Sequence, residues 1–563
     1  MLLLFLLVVF TPVNALWPIP RTLSTGTAAL TIADGFSIDI HGIEHAPSDL
    51  KNAVSRTRHY IQEDKLGRLV VGRGPGQGVS LGDAPRLSKL VLRLVDTNQT
   101  AATAQTRVPS ISEITALPVE QRDESYRLDI PSDGSDAVLV ANTTLGLLRG
   151  LTTFSQIWYQ HGEWTYTVEA PFKIIDEPYY KWRGLLLDTA RNYFPVADIK
   201  RTLDAMSWTK INMFHWHVVD SQSFPLVLPE VPELSSQGAY SSEQQYSTAE
   251  LDDIVAYAAA RGIDVMLEID TPGHTAAVHH SHPEYVACFE AAPWTSYANE
   301  PPAGQLRLTE PEVVRFTQKL FKAAIKHTPG KYFSTGGDEI NLRCYAEDPV
   351  IQTSLNSTGQ TLLQALATFT KETHQVLLEN EKIPVVWEEM VLEHGDLHLD
   401  NDTVVLVWIS SANAKSVAEA GHKIVHAPND YFYLDCGHGI WVGNFTNGNS
   451  WCDPFKSWQK AYSFDPTANL TSTEATLVLG GQQLLWAEQS DPSNMDSIIW
   501  PRAAASAELF WTGPIHPNGG PLDGTEALPR LHDLRYRFVR RGVNAVALQP
   551  EYCALRPHAC DLV

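Results

Sequence analysis

The sequence predicts an α/β protein, with a (β/α)8 barrel over residues 179–515 following a smaller α+β domain. Three observations carry this prediction. Eight short apolar runs recur after residue 180. Helical patterns with start signals lie between several of them. Each run ends in polar or aromatic side chains, at the end of the strand where such barrels place their chemistry.

The 563 residues allow two or three domains, and 44% hydrophobic content suffices for a large core. Residues 1–15 read as a secretory signal peptide: a run of Leu, Phe and Val, then Pro12-Val13-Asn14-Ala15 with Val13 and Ala15 at the −3 and −1 positions of a cut. The run lacks an early Lys or Arg, and it is shorter than the roughly 20 apolar residues of a membrane span. A secreted protein, or one delivered to an acidic secretory compartment, is expected. Cys288, Cys344, Cys436, Cys452, Cys553 and Cys560 are an even set, and the simplest pairing joins neighbours along the chain. Sequons at Asn98, Asn142, Asn356, Asn401, Asn444 and Asn469 also agree with export. The net charge of −23 disfavours nucleic acid and anionic membranes as partners and suits work at mildly acidic pH.

Residues 16–110 form an N-terminal segment with few apolar runs. Leu69-Val70-Val71-Gly72-Arg73-Gly74 reads as a strand entering a Gly-rich loop. That loop is no nucleotide fingerprint, because Pro75 interrupts it and no helix or acidic partner follows at the required distance. Residues 111–178 read as the end of the small α+β domain. Tyr126-Arg127-Leu128-Asp129-Ile130 alternates as a half-buried strand, and Ala137-Val138-Leu139-Val140 is a second. Residues 143–159 form an amphipathic helix with Leu147, Leu151, Phe154 and Trp158 on one face.

The eight barrel strand cores are Gly184-Leu185-Leu186-Leu187, Met213-Phe214-His215-Trp216, Asp264-Val265-Met266-Leu267, Tyr332-Phe333-Ser334, Pro384-Val385-Val386-Trp387, Val404-Val405-Leu406-Val407, Lys423-Ile424-Val425 and Thr476-Leu477-Val478-Leu479. Ser247 with Glu250 and Thr309 with Glu312 fit capping boxes, and Trp500-Pro501-Arg502 opens an Ala-rich helix. The C-terminal stretch, residues 516–563, carries a helix over 528–543 with Leu531, Leu534, Phe538 and Val539, then a small loop between Cys553 and Cys560.

The polar tips concentrate the chemistry. After the fourth strand, Gly336 and Gly337 let the backbone pass close to a neighbour, and Asp338 and Glu339 follow as adjacent carboxylates. The other tips offer Asp188 and Arg191; His215, His217 and Asp220; Glu268, Asp270 and His274; Trp387 and Glu388; Trp408; Tyr433 and Asp435; Trp486 and Glu488. Aromatic faces match the C–H faces of a pyranose, and carboxylates with an arginine match its vicinal hydroxyls. An oligosaccharide substrate is therefore expected, with no cofactor.

Six motifs extend this. Asp188-Thr189-Ala190-Arg191-Asn192-Tyr193-Phe194, His215-Trp216-His217-Val218-Val219-Asp220, Glu268-Ile269-Asp270-Thr271-Pro272-Gly273-His274, Gly336-Gly337-Asp338-Glu339, Tyr433-Leu434-Asp435 and Trp486-Ala487-Glu488 together make the chain resemble the family 20 glycoside hydrolases, the β-N-acetylhexosaminidases, in their fungal secreted form. The resemblance covers most of residues 120–563. It implies that Glu339 is the general acid and later the base. It implies that Asp338 and Tyr433 hold the substrate's acetamido group, whose carbonyl oxygen attacks the anomeric carbon. Trp387, Trp408 and Trp486 become aromatic walls. Arg191, Asp435 and Glu488 become hydroxyl contacts. Asp220, Glu268, Asp270 and His274 become the charged shell behind the acid, with Asp188 and His217 supporting it. It also implies a homodimer, and a propeptide over residues 16–110 that stays bound after cleavage.

Adjacent residues cannot easily flank an anomeric carbon at the roughly 5–5.5 Å of an ordinary retaining pair, and a nucleophile carried by the substrate removes that need. Glu339 is expected to have a raised pKa, from burial and neighbouring carboxylates. Three other readings stand beside this one: a metal site on His215 and His217, a non-catalytic glycan-binding protein, and an ordinary two-carboxylate glycosidase.

Overall fold

The computed structural model describes residues 15–76, 78–95, 107–395 and 397–562. The predicted signal peptide, Ala15 apart, and the Asn98 sequon lie outside the described residues. The first unit is a six-stranded sheet of β1 (Thr22–Ile40), β2 (Arg86–Leu94), β3 (Tyr126–Ile130), β4 (Ala137–Ala141), β5 (Tyr159–His161) and β6 (Trp164–Asp176), in the order β1-β2-β4-β3-β6-β5. The long β1 serves two neighbours, antiparallel to β6 over residues 22–31 and parallel to β2 over residues 31–40. Residues 16–110 thus build the same sheet as residues 111–178, and add the helix Ser48–Glu63.

The expected strand at Leu69 does not form. Gly72 and Arg73 take φ values of 83° and 56°, which no pleated strand accommodates. The helix Thr144–Gln156 forms as predicted, with the Thr143 side chain accepting from the Gly146 N–H. It ends before Trp158, which is buried beyond it.

The second unit continues the strand numbering with β7 (Trp182–Asp188), β8 (Met213–Val219), β9 (Asp264–Ile269), β10 (Val286–Ala287), β11 (Gln305–Leu306), β12 (Tyr332–Gly336), β13 (Ile383–Trp387), β14 (Val404–Val407), β15 (Lys423–His426) and β16 (Val478–Leu485). The pair β10–β11 is a small hairpin, and the other eight close a parallel barrel. Helices cover the outside and side chains fill the inside, so the strands read as continuous apolar runs. The eighth strand starts later than predicted. Glu474–Leu477 is a 3-10 turn, and the strand runs on through two glycines and two glutamines that carry no apolar signal.

Ser247 caps the helix Thr248–Ala259 in the predicted box with Glu250. Thr309 does not cap its helix: Pro311 takes the first helical position, where a missing N–H costs nothing, and Glu310 becomes the N-cap. In the C-terminal helix Gly524–Arg540, Leu531, Leu534 and Phe538 are buried, whereas Val539 faces solvent. The disulfides join Cys288 to Cys344, Cys436 to Cys452 and Cys553 to Cys560. Among the described residues no helix is long and apolar enough to cross a membrane.

The sheet unit seals the N-terminal face of the barrel with charged groups. Glu124, 1% exposed, accepts from Arg149 Nε at 2.7 Å and from Arg183 Nη2, at the start of β7, at 2.7 Å. Arg122 pairs with Asp264 of β9 at 2.7 Å, and Lys210 with Asp176 of β6 at 2.9 Å. Trp17 is fully buried, its indole donating to the Ala504 carbonyl at 2.8 Å. The opposite face, at the C-terminal strand ends, is left free for the site.

Candidate active site

At the end of β12 the backbone turns through Gly336 (φ 64°) and Gly337 (φ 95°). A Cβ at Gly336 would lie 2.0 Å from Asp270 Oδ1, and one at Gly337 2.5 Å from Met390. The absence of both lets the Asp270 carboxylate accept from the Gly337 N–H at 2.8 Å. Glu339 also takes a positive φ, 55°. The turn therefore presents Asp338 and Glu339 as consecutive carboxylates held by backbone rather than by flexible side chains.

A chain of charges runs behind them. His274 places Nε2 3.3 Å from Glu339 and 3.8 Å from Asp338, and Nδ1 3.1 Å from Asp220. Asp220 also meets His217 Nε2 at 2.7 Å and Arg191 Nη2 at 3.0 Å. His217 Nδ1 reaches Glu268 at 2.5 Å, and His215 Nε2 reaches the other oxygen of Glu268 at 3.0 Å. Burial opposes the charge on His274, but Asp220, Glu339 and Asp338 outweigh it and hold the ring protonated well above the usual range. His217 rises to about 10, with burial overcome by Asp220 and Glu268.

Glu339 departs from expectation. Burial pushes its carboxyl up, but the hydrogen bond and charge of His274 and a hydrogen bond to Asn299 pull it below its ordinary value. The expectation weighed the carboxylates and left out the cation 3.3 Å away. In this arrangement the proton of the His274–Glu339 pair rests on the ring. The neighbouring carboxyls of Asp270 and Asp338 influence one another in a different way. Burial and the Asp338 charge push Asp270 well up, while Asp338 is also raised by burial but drawn back by the His274 charge and by Asp270, so of the two Asp338 is the readier to carry the charge.

Above the carboxylates is a cavity of about 460 Å³. Trp387, Trp408, Trp486 and Tyr433 wall it, with ring centroids 6.0–6.4 Å apart across the Trp387–Trp408, Trp387–Trp486, Trp408–Tyr433 and Tyr433–Trp486 pairs. Arg191 lies 5.1 Å over the Trp486 ring, and Asp435 and Glu488 line the far wall. Burial drives Asp435 up to about 7 and Glu488 well above the carboxylate range. Trp441 and Trp451, on the loop closed by Cys436–Cys452, stand at the mouth.

The structure brings together at the cavity Arg191, His274, Asp338, Glu339, Trp387, Trp408, Tyr433, Asp435, Trp486 and Glu488. Asp220, His217, Glu268 and Asp270 stand behind it as described. Asp188 is buried, accepting from the Ala190 and Ala487 N–H groups at 2.9 and 3.0 Å, and so ties β7 to the segment after β16. Tyr431 turns away to meet Phe464 edge-on at 4.8 Å, which leaves Tyr433 as the tyrosine of the site. Glu388 also turns away, accepting from the Trp408 and Ile409 N–H groups. The neighbouring Glu389 is buried behind the Trp408 wall instead, receiving the Trp408 indole N–H at 2.8 Å. The ring nitrogens of His215 and His217 are all hydrogen-bonded, to Glu268, Asp220 and Gln482, so none is directed at a shared cation.

Sequence reasoning missed Glu300, which binds Arg191 Nε at 2.9 Å and Nη2 at 2.5 Å. It lies in a long irregular stretch before Pro301-Pro302, where no periodicity marks a face. The mouth tryptophans had a signal, since two Trp residues lie between one pair of cysteines.

Comparison with known proteins agrees with this geometry. Residues 180–514 match glycosyl hydrolase family 20, catalytic domain, and residues 16–157 match a β-acetyl hexosaminidase-like domain. A β-hexosaminidase of Arthroderma benhamiae is 37% identical over 464 residues, spanning 78% of this chain and 74% of that one. A chitooligosaccharidolytic β-N-acetylglucosaminidase of Bombyx mori is 36% identical, over 78% and 75% of the two chains. Among solved structures, a Flavobacterium johnsoniae chitobiase superimposes with a TM-score of 0.73 at 26% identity, covering 94% of this chain and 73% of that one.

Proposed function

The chain belongs to glycosyl hydrolase family 20, and on that premise we propose the following reading of its site. The protein is a β-N-acetylhexosaminidase that removes terminal β-linked GlcNAc or GalNAc from the non-reducing ends of chito-oligosaccharides or glycans, with retention. The observation that carries the mechanism is the turn at Gly336-Gly337, which fixes two consecutive carboxylates on one side of the cavity. Such a pair supplies an acid and a positioning group, and leaves the nucleophile to the substrate.

In this reading Glu339 protonates the glycosidic oxygen as the bond to the anomeric carbon breaks. The acetamido carbonyl oxygen of the same sugar attacks that carbon and forms an oxazolinium ring. Asp338, its charge favoured by His274 and Asp270 against burial, orients the acetamido N–H and balances the positive charge that develops. Tyr433 donates to the carbonyl oxygen, and the tryptophan walls exclude water from the reacting centre. Glu339 then takes a proton from the incoming water, which opens the ring with a second inversion. His274 sits where it can hand its proton to Glu339 before the first step and take it back after the second, and Asp220 stabilises the imidazolium of the resting state. Arg191, anchored by Asp188, Asp220 and Glu300, holds sugar hydroxyls with Glu488 and Asp435.

Secretion through residues 1–15 belongs to the same proposal. The five described sequon asparagines are all exposed, which supports their glycosylation. Should residues 16–110 be cleaved as a propeptide, the pairing of β1 with β6 and the burial of Trp17 against the barrel would retain them. Light scattering tests the homodimer.

The reaction is tested with paired aryl glycosides, one β-N-acetylglucosaminide and one β-glucoside, on wild type and Glu339→Gln. Cleavage of the acetamido substrate alone, lost in the variant, is expected. Equal cleavage of both substrates would indicate an ordinary two-carboxylate glycosidase, and binding without cleavage a glycan-binding protein.

A further inference from the structure

Both roots of the Cys436–Cys452 loop converge on one side chain outside the cavity. Arg502, the first residue of the helix Arg502–Thr512, is buried. Its Nη2 donates to the Leu434 carbonyl at 2.7 Å, its Nη1 to the Lys456 carbonyl at 3.0 Å and its Nε to the Ile498 carbonyl at 3.0 Å. Leu434 sits between Tyr433 and Asp435, just before the first cysteine, and Lys456 follows the second. Lys456 Nζ donates back to the Cys452 carbonyl at 2.7 Å, and the Phe455 ring covers the guanidinium at 4.3 Å. These acceptors are neutral carbonyls, so among the described residues no hydrogen-bonded carboxylate cancels the charge of Arg502. A buried cation of this kind is costly unless its field is used.

We infer that Arg502 is a positioning residue for the reaction: it fixes the backbone between Tyr433 and Asp435, clamps both roots of the loop that carries Trp441 and Trp451, and supplies the positive field under which Asp435 carries its charge. The surroundings of Asp435 agree. Asp188 from the end of β7, Glu488 after β16 and Tyr433 on its own segment act against its charge, while Arg502 and Lys456 favour it. Asp435 Oδ1 is buried without a hydrogen-bond partner among the described residues, which suits an oxygen reserved for a sugar hydroxyl.

The inference rests on the glycosidase reading, and the test separates the two. Arg502→Lys keeps the charge but cannot bridge both roots, whereas Arg502→Gln keeps two donors and loses the charge. For each, kcat and KM on an aryl β-N-acetylglucosaminide are followed across pH, together with the thermal midpoint. Arg502→Gln should move the acidic limb of kcat/KM to higher pH by about one unit, because Asp435 binds its proton more tightly without the cation. Arg502→Lys should keep the wild-type limb with kcat lowered on the order of 10- to 100-fold by misplacement of Tyr433. Wild-type limbs in both variants, with losses that only track the thermal midpoint, would reduce Arg502 to a structural residue. If Arg502→Gln does not fold, Arg502→Lys decides: wild-type kcat overturns the inference, and lowered kcat on an unmoved limb upholds it. A wild type that cleaves both aryl substrates equally would sink the glycosidase reading instead.

Discussion

Replacing Glu124 by Gln should remove from the junction the carboxylate that bridges an arginine of each unit, while keeping its shape. Glu124 is fully buried between Arg149 and Arg183, and also accepts from Asn212 Nδ2 at 3.2 Å. Burial pushes its carboxyl up, but the two guanidiniums bring it from 4.5 down to about 2. That difference corresponds to about 3 kcal/mol in favour of the folded state at neutral pH. Arg183 moves the other way, pulled down to about 10 by burial, so the triad as a whole is near break-even. Deleting only the carboxylate is different, because it strands two buried cations, at a cost of roughly 3–5 kcal/mol. The sign with pH follows from the depressed carboxyl. Its contribution is complete above 4.5 and disappears as pH falls through about 2. Urea unfolding of wild type and Glu124→Gln at pH 7 and pH 3 should show a large deficit at pH 7 that shrinks by about 2 kcal/mol at pH 3. Equal midpoints at pH 7, or a deficit independent of pH, would refute the assignment of this stability to the ion triad.

Three further outcomes are expected. Asp338→Asn should lower kcat by about 10²- to 10³-fold on an aryl β-N-acetylglucosaminide; a kcat within a few-fold of wild type would remove Asp338 from the acetamido site. Glu389, raised to about 9 by burial and by Asp338, is neutral at pH 7 and accepts from the Trp408 indole. Glu389→Gln should therefore keep KM within about twofold, and Glu389→Ala should raise it on the order of tenfold by freeing Trp408, as read from steady-state kinetics. Because the ring nitrogens of His215 and His217 are occupied by protein partners, activity should survive prolonged dialysis against EDTA, and restoration by a divalent cation would contradict that reading.

The barrel was legible because parallel strands covered on both faces are written as short apolar runs, and because each ends in its chemistry. The site was legible for a related reason: Asp338 and Glu339 lie directly after a strand that periodicity can place, and Trp387 and Trp408 end or follow two others. Legibility failed where position depends on contacts distant in sequence. Glu300 reaches Arg191 across 109 positions from an irregular loop. Glu388 and Glu389 are chemically identical neighbours, and only the start of the helix Glu389–Leu392 decides which one holds the Trp408 indole. The N-terminal sheet was hardest to read. β1 divides its edge between β2 and β6, with register shifts that break simple alternation. The pKa of Glu339 was misjudged for a similar reason, since His274 arrives from another strand.

Below the tryptophan walls the barrel is plugged by His215, His217, Glu268 and Gln482, all buried, so the cavity has one opening. A polymer cannot thread through a blind socket. Each unbranched chain therefore offers a single point of attack, its tip, however long it is. Throughput is then governed by the molar concentration of tips rather than by the mass of polysaccharide. A partner that cuts chains internally would accelerate this protein without touching it, by multiplying tips. A tip capped by a bulky substituent would halt the whole chain behind it, leaving every interior bond intact.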